Sequence, residues 1–228
     1  MRFLENFNFF LFSRFKAIND FKARVLDFLN IYVKEMKGEI PSEKRMIITK
    51  GLLDAMAVAH HDKSTVLFDK IKTVIVTMAK ETKSIEGESD ENDKSHKTIL
   101  FTEILSKILN PKLDPKVSSV YRTAFFYVIK SLKDNKDFKK LIKSSYKELL
   151  RCYLQKRASN TLTIDFFQNA FNTDLEFSFS FFKFLLKCSL PVAKTETEEG
   201  VKVEGARTIK QRFLAIELLH FLVKRTRK

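Results

Sequence analysis

Lysine recurs at helical spacing between residues 133 and 157, in the segment KDNKDFKKLIKSSYKELLRCYLQKR. Residues three or four apart lie on the same side of an α-helix. The basic residues at this spacing therefore form one row, here called the basic stripe: Lys136, Lys139, Lys140, Lys143, Lys147 and Arg151. The chemistry that such a row offers is the binding of phosphate groups. The alternative interpretation is a solvated face of a basic protein without a ligand.

A second basic cluster closes the sequence in KRTRK, and its members are Lys224, Arg225, Arg227 and Lys228. An ammonium group is a point charge and lacks the forked donor geometry of a guanidinium group. We therefore expect the lysine-rich clusters to position a nucleic-acid backbone and not to read its bases. Binding through them would have little sequence preference.

The residue types that support catalysis or metal binding are sparse. His60, His61 and Asp62 are adjacent, so on a helix their side chains point about 100° apart, and no third ligand follows at zinc-site spacing. Neither GxxxxGK[ST] nor GxGxxG occurs, so a nucleotide site has no sequence support. His220 falls on the apolar side of the last predicted helix, where a hydrogen-bonded core histidine is expected. We predict no enzyme, no cofactor, no metal site and no small-molecule substrate.

Composition limits both the class of protein and its partners. The 228 residues carry a formal charge of +14, which favours polyanionic partners. Five glycines and four prolines are too few for the turns of an all-β or doubly wound fold. No apolar run reaches the length of a signal peptide or a membrane span, so we expect a soluble intracellular protein without a membrane partner. Cys152 and Cys188 lie in apolar helical patterns, which favours buried thiols in a reducing compartment.

Apolar positions at helical spacing predict about nine helices. Asn19 or Asp20 is predicted to begin one helix, Asp114 and Pro115 another, and Thr161 or Thr163 a third. The segment FSFSFFKF at residues 177–184 fits both strand and helix spacing, and we interpret it as a helix because no partner strand is evident. Tyr127, Tyr146 and Tyr153 are predicted core residues, although exposed tyrosines beside lysines can also stack on bases. The predicted fold is all-α, a single domain over residues 1–228 built as irregular helical hairpins in an ARM/HEAT-like α-solenoid.

Two polar segments interrupt the helical pattern. Residues 82–97, with SIEGESDEND at their centre, are predicted to be a disordered acidic loop, because they hold too little apolar area to offset the entropy of ordering. That loop is a solvated insertion, or it shields the basic stripe or carries phosphoserines. Residues 189–206 are predicted to be a second polar loop.

Several strings of the sequence resemble the C-terminal helical part of the DNA polymerase phi and Myb-binding protein 1A family, also called the DNA polymerase V family. The strongest is FKARVLDFLNIYVKEM at residues 21–36, followed by KGLLDAMAVA and LFDKIKTVIVTMAK. RTAFFYVIKSL, RCYLQKRASNTLTIDFFQNAF and RTIKQRFLAIELLHFLVK extend the likeness over most of the chain.

The resemblance implies a scaffold of the nucleus and nucleolus. It would bind ribosomal DNA or ribosomal RNA together with nuclear proteins, and act in regulating transcription of ribosomal RNA genes and in ribosome biogenesis. Polymerase activity is not expected, because the sequence shows no constellation of metal-binding carboxylates. The alternative is a protein adaptor of helical repeats that does not bind nucleic acid.

Overall fold

The computed structural model describes residues 2–36, 39–80, 91–132, 136–154, 162–173, 178–190 and 209–226. Within these ranges the chain forms nine α-helices and no β-strand, which confirms the predicted all-α class. The helices are α1 (Arg2–Glu35), α2 (Ser42–His61), α3 (Thr65–Lys80), α4 (Glu91–Leu109), α5 (Pro115–Leu132), α6 (Lys136–Leu154), α7 (Ile164–Thr173), α8 (Phe182–Ser189) and α9 (Ile209–Thr226). In the described part of the chain, no helix is both long and apolar enough to span a lipid bilayer.

The helices belong to two compact units, and the single domain over residues 1–228 stays a prediction. Unit 1 comprises Met1–Ile104 and Ser119–Ser131, and unit 2 comprises Leu105–Ser118 and Leu132–Lys228. Helices α4 and α5 therefore contribute residues to both units. The solenoid arrangement of helical hairpins stays a prediction.

Unit 1 is organised around α3, against which both α1 and α2 pack. One side of α3 is buried along its whole length through Leu67, Phe68, Ile71, Val74, Ile75 and Met78. Helix α1 is fixed to α3 by a hydrogen bond from Thr77 Oγ1 to Asn30 Oδ1 at 3.0 Å and by an ion pair between Lys70 and Asp27. The ring of His60 on α2 lies 6.0 Å from the ring of Phe68.

The predicted helix start at Asn19 or Asp20 is wrong, because α1 runs without a break from Arg2 to Glu35. Neither glycine nor proline occurs within this helix. Asn and Asp inside a helix cost only about 0.7 kcal/mol each relative to Ala, so they do not end it.

The start of α5 agrees with the sequence prediction. The backbone N–H of Lys116 donates to Asp114 Oδ1 at 2.7 Å, and Pro115 occupies the first helical position, where its missing N–H is not needed. Further along α5, within unit 1, the ring of Phe125 stacks on that of Phe101 from α4, with centroids 5.6 Å apart. Both rings are fully buried.

The helical interpretation of the phenylalanine-rich segment at residues 177–184 is confirmed for its last three residues, since α8 begins at Phe182, whereas Ser180 and Phe181 form a turn before it. Helix α7 begins after Thr163, whose Oγ1 accepts a hydrogen bond from the Phe166 N–H at 3.3 Å, as predicted for one of the two threonines. Arg212 Nε in α9 donates to the Ser189 carbonyl oxygen at 3.1 Å and so satisfies an acceptor at the end of α8.

The apolar spacing of the last helix predicts that Ile209, Phe213, Ile216, Leu219, His220 and Leu222 share one side, and this prediction is only partly correct. The buried residues of α9 are Ala215, Leu218 and Leu222, because α9 packs on α8, α7 and α6 through that side. Of the predicted residues, Ile209, Phe213, Ile216 and His220 are exposed, and Leu219 is half-buried. His220 is therefore not the core histidine that the sequence predicts.

The two predicted loops are only partly within the described residues. Residues 91–97, assigned by the sequence to the acidic loop at 82–97, are helical in α4. Acidic residues at the start of a helix are favourable because its N-terminus carries a partial positive charge. This effect favours the helical state of residues 91–97. Ser189, the first residue of the predicted polar loop at 189–206, is the last residue of α8. Leu190 follows α8 and is exposed, and residues 82–90 and 191–206 of the two loops lie outside the described residues.

Candidate nucleic-acid interface

The basic stripe lies on α6, whose basic and apolar residues fall on opposite sides of the helix. At about 100° per residue, its six members fall within about 120° of the helix circumference. At about 1.5 Å per residue, the row from Lys136 to Arg151 is about 22 Å long. The helix thus presents a narrow, elongated row of cations.

Four lysines of the basic stripe are exposed: Lys139, Lys140, Lys143 and Lys147. None of them forms an ion pair with another residue in the described ranges. Lys136 is the first residue of α6, and its side chain lies outside the described part. The four ammonium groups are therefore accessible to a ligand.

Arg151 at the end of the basic stripe is also exposed, but it has an acidic neighbour. Its Nη1 lies 3.7 Å from Glu148 Oε2, one helical turn earlier. A solvent-exposed pair of this kind contributes only about 0 to 1 kcal/mol. Arg151 can therefore exchange the carboxylate for a phosphate at little cost.

The second basic cluster is less available than the sequence suggests. Lys224 is exposed, whereas Arg225 is half-buried and donates from Nη1 to the Phe171 carbonyl oxygen at 3.4 Å. That hydrogen bond occupies part of the guanidinium group that the sequence assigns to phosphate binding. Arg227 and Lys228 lie outside the described residues.

The side of α6 opposite the basic stripe is anchored in the core of unit 2. The buried residues are Phe138, Ile142, Ser145, Tyr146, Leu149, Leu150 and Leu154. Burying each large apolar side chain contributes about 1.5 to 3 kcal/mol. Repulsion between lysines one turn apart costs only about 0.2 to 0.5 kcal/mol for each pair. Burial therefore outweighs the repulsion and holds the lysines in their row.

Aromatic contacts fix the rotation of α6. The ring of Tyr146 lies 6.1 Å from that of Phe181, and the ring of Tyr153 lies 5.0 Å from that of Phe167 in α7. Tyr146 is buried, as predicted, and Tyr153 is half-buried. Tyr146 therefore packs in the core and is not available to stack on a base.

Burial also changes the acidity of the tyrosines. It raises the pKa of the Tyr146 hydroxyl well above its usual range. It raises the pKa of Tyr153 as well, with the carboxylates of Glu217 and Asp165 adding to the effect. In unit 1, burial raises the pKa of Tyr127 to about 12, although the Arg45 guanidinium opposes the shift. Burial, with Glu103 and Asp54 nearby, also raises the pKa of Tyr121 to about 12.

We predict that stability falls as the pH rises above 10. Between pH 10 and 12 the folded chain keeps the Tyr127 proton and the unfolded chain loses it, so each pH unit lowers the free energy of unfolding by about 1.4 kcal/mol for this residue. Below pH 10 both states are protonated and this contribution is constant. Urea unfolding at pH 9, 10 and 11 measures the slope. Because lysines also titrate in this range, Tyr127→Phe is the matched control. Its free energy of unfolding should fall less steeply with pH, by about 1.4 kcal/mol for each pH unit. An unchanged slope would contradict the assignment to Tyr127.

Several exposed cations of unit 2 were not singled out from the sequence, and Lys183 is one of them. Lys183 lies on α8 and is exposed. The helical spacing of Phe181, Leu185 and Cys188, all buried, is the signal that places Lys183 away from the core. The sequence alone does not show which residues surround Lys183.

The described residues offer no alternative site with obvious metal chemistry. Among them, no group of three or more His, Cys, Asp or Glu side chains is placed to hold a metal ion. His60 and His61 are both exposed at the end of α2, and His61 Nδ1 lies 3.2 Å from Asp62 Oδ1. No protein-family model, curated protein or solved structure matches this chain at a significant level.

Proposed function

We propose that this protein is a non-enzymatic helical scaffold that binds nucleic acid through the phosphate groups facing the basic stripe. The observation that supports the proposal is the row of four exposed lysines on α6 without ion-pair partners in the described part of the chain. The opposite side of the same helix is buried, so the backbone that carries the row is held in place. An ordered backbone loses less entropy on binding than a flexible basic tail does.

The length of the row suits a polyphosphate backbone. About 22 Å of helix corresponds to about six steps of a nucleic-acid strand at 3.4 Å per step. Five of its six members are lysines, which contact phosphates without reading base edges. We therefore propose binding with little sequence preference, to DNA or RNA.

The biological setting of the proposal rests on the family resemblance alone. We propose a location in the nucleus and nucleolus, with ribosomal DNA or ribosomal RNA and nuclear proteins as partners. The corresponding process is transcription of ribosomal RNA genes and ribosome biogenesis. The proposed architecture is an ARM/HEAT-like stack of irregular helical hairpins, of which the nine described helices are the components.

Salt dependence tests the phosphate contacts directly. Fluorescence anisotropy with a labelled duplex DNA of about 20 base pairs and with an RNA hairpin measures the affinity between 50 and 200 mM salt. Four lysine–phosphate contacts predict a log–log slope of about −3.6, which is roughly a hundred-fold loss of affinity over this range. An affinity that does not change with salt would exclude phosphate contacts as the source of binding.

A second candidate function is a protein adaptor that does not bind nucleic acid. It is favoured by the exposed apolar residues of α1, among which Phe21 and Phe28 are the most exposed. Recovery of protein partners from cells before and after nuclease treatment separates the two functions. Loss of most partners on nuclease treatment supports the nucleic-acid scaffold, and unchanged recovery supports the adaptor.

A further inference from the structure

Helix α1 presents a continuous apolar face to solvent. The residues of this face, here called the apolar face of α1, are Ile18, Phe21, Val25, Phe28 and Tyr32. Their spacing alternates between three and four residues, which is the pattern of a helix that packs against another helix along its whole length. Phe21 is 69% exposed and Phe28 is 71% exposed. Exposed phenylalanines in a row indicate an interaction site.

A groove adjoins this face. Both α1 and α2 pack against α3, and the space between them has a volume of about 450 Å³. Leu67 and Ile71 line it from α3, Phe21 and Val25 from α1, and Val58 from α2. The groove is therefore apolar, and it continues into the apolar face of α1.

The α2 side of the groove is built from small residues. Ala55 and Ala59 line it one helical turn apart, beside Val58. Alanine at such positions allows a second helix to approach closely. The shape therefore suits an α-helix lying along α1, the arrangement by which helical peptides bind apolar grooves.

Two cations lie beside the apolar face of α1, and the exposed Glu35 follows the face at its C-terminal end. Lys22 and Arg24 are exposed and lie on opposite sides of the face, with Lys22 also lining the groove. The next flanking positions along α1 are Leu29 and Ile31, which are apolar. The face is therefore bordered first by cations and then by apolar residues. Asp27 is turned towards α3, where it pairs with Lys70.

The groove also contains one acidic side chain at its end. Asp62 is among the lining residues, in the turn between α2 and α3. Its Oδ1 lies 3.2 Å from His61 Nδ1, and the neighbouring Lys63 is exposed. The charged residues of the groove lining are therefore Lys22 on α1 and Asp62 in that turn, whereas Arg24 lies beside the apolar face of α1 and outside the groove.

We propose that the groove and the apolar face of α1 bind an amphipathic helix of a partner protein that carries acidic residues beside its apolar positions. The apolar positions of the partner would pack on Phe21, Val25 and Phe28, and its carboxylates would face Lys22 and Arg24. Charge complementarity of this kind raises both specificity and association rate. A second copy of this chain is disfavoured, because it would bring together two molecules that each carry a charge of +14.

Three synthetic peptides of about 21 residues test the proposal. The first has leucine at the first and fourth positions of each heptad with flanking glutamates, the second replaces the glutamates by lysines, and the third has the first composition in scrambled order. Fluorescence anisotropy with the full chain should show the glutamate peptide binding at least about ten-fold more tightly than both others. Weak binding of the scrambled peptide separates groove binding from general attraction to a basic protein.

Substitutions locate the binding surface. Phe21→Glu and Phe28→Glu should each weaken the glutamate peptide at least about ten-fold, because each places a carboxylate in an apolar contact. Lys22→Glu combined with Arg24→Glu should shift the preference towards the lysine peptide. Phe213→Glu is the matched control, since Phe213 is 65% exposed on α9 in unit 2, and it should leave the affinity unchanged.

Several outcomes would overturn the proposal. Equal binding of the glutamate and lysine peptides, failure of both to bind, or loss of binding in Phe213→Glu but not in Phe21→Glu would each do so. A dimer in sedimentation equilibrium that Phe21→Glu converts to a monomer would assign the face to a second copy instead. None of these measurements involves the basic stripe, so failure here is distinct from failure of nucleic-acid binding.

Discussion

Replacing Lys139, Lys140, Lys143 and Lys147 together by glutamate will weaken binding to duplex DNA and to structured RNA by about a thousand-fold or more. Release of counterions contributes about 0.9 log units of affinity for each phosphate contact at 0.1 M salt, so four lost contacts account for this factor. The introduced carboxylates add repulsion from the phosphates. Anisotropy titrations at 0.1 M salt measure the loss.

The fold should survive this change because all four side chains are exposed. Glutamate and lysine have similar helix propensities, so circular dichroism and the unfolding midpoint should change little. The matched control reverses four exposed lysines of unit 1: Lys16, Lys44, Lys72 and Lys80. It alters the net charge equally and should weaken binding only several-fold. An equal loss in both variants would show that net charge, and not the basic stripe, determines affinity.

Replacing Phe125 by alanine will lower the free energy of unfolding by about 3 to 5 kcal/mol. The ring of Phe125 is fully buried, stacks on Phe101 at 5.6 Å and contacts the edge of Phe126 at 5.8 Å. Its removal loses apolar burial and leaves a cavity that rigid neighbouring helices cannot fill. A loss of this size is a large part of the stability of a typical domain, about 5 to 15 kcal/mol. Urea unfolding followed by circular dichroism measures it.

The control for the core substitution is Phe213→Ala on α9. Phe213 is 65% exposed, and a substitution at such a position changes stability by about 0.5 kcal/mol or less. A similar loss in both variants would mean that the stacking of Phe125 on Phe101 is not a principal packing contact. An intact midpoint in Phe125→Ala would mean the same.

Much of the fold was predictable where local chemistry and burial agree. At α5, the cap by Asp114, the proline at the first helical position and the apolar periodicity all act within a few residues. At α6, the separation between lysines and apolar residues is wide enough that the sequence alone defines which side is exposed. The basic stripe was therefore predictable in its position, although its ligand was not.

The sequence predictions fail where residue type alone was used and where packing between distant segments decides. Asn19 and Asp20 have the types of helix-capping residues, yet α1 continues through them, because Asn and Asp cost little inside a helix that holds no glycine or proline. Helix α9 has apolar residues on two sides, and its packing on α8, α7 and α6 buries the side that carries Ala215 and Leu218. Arg225 likewise donates to a carbonyl oxygen 54 residues earlier, which local spacing does not reveal.

The two cysteines differ in how accessible their thiols are to reagents. Cys188 is buried, whereas Cys152 is half-buried on α6, with its Sγ 3.8 Å from Glu148 Oε1. A thiolate is the reactive form and needs access to the reagent, so alkylation will favour Cys152. A fluorophore attached there is one residue from Arg151 and therefore reports on α6 from within the helix. The protein thus supports site-selective labelling without any engineered residue.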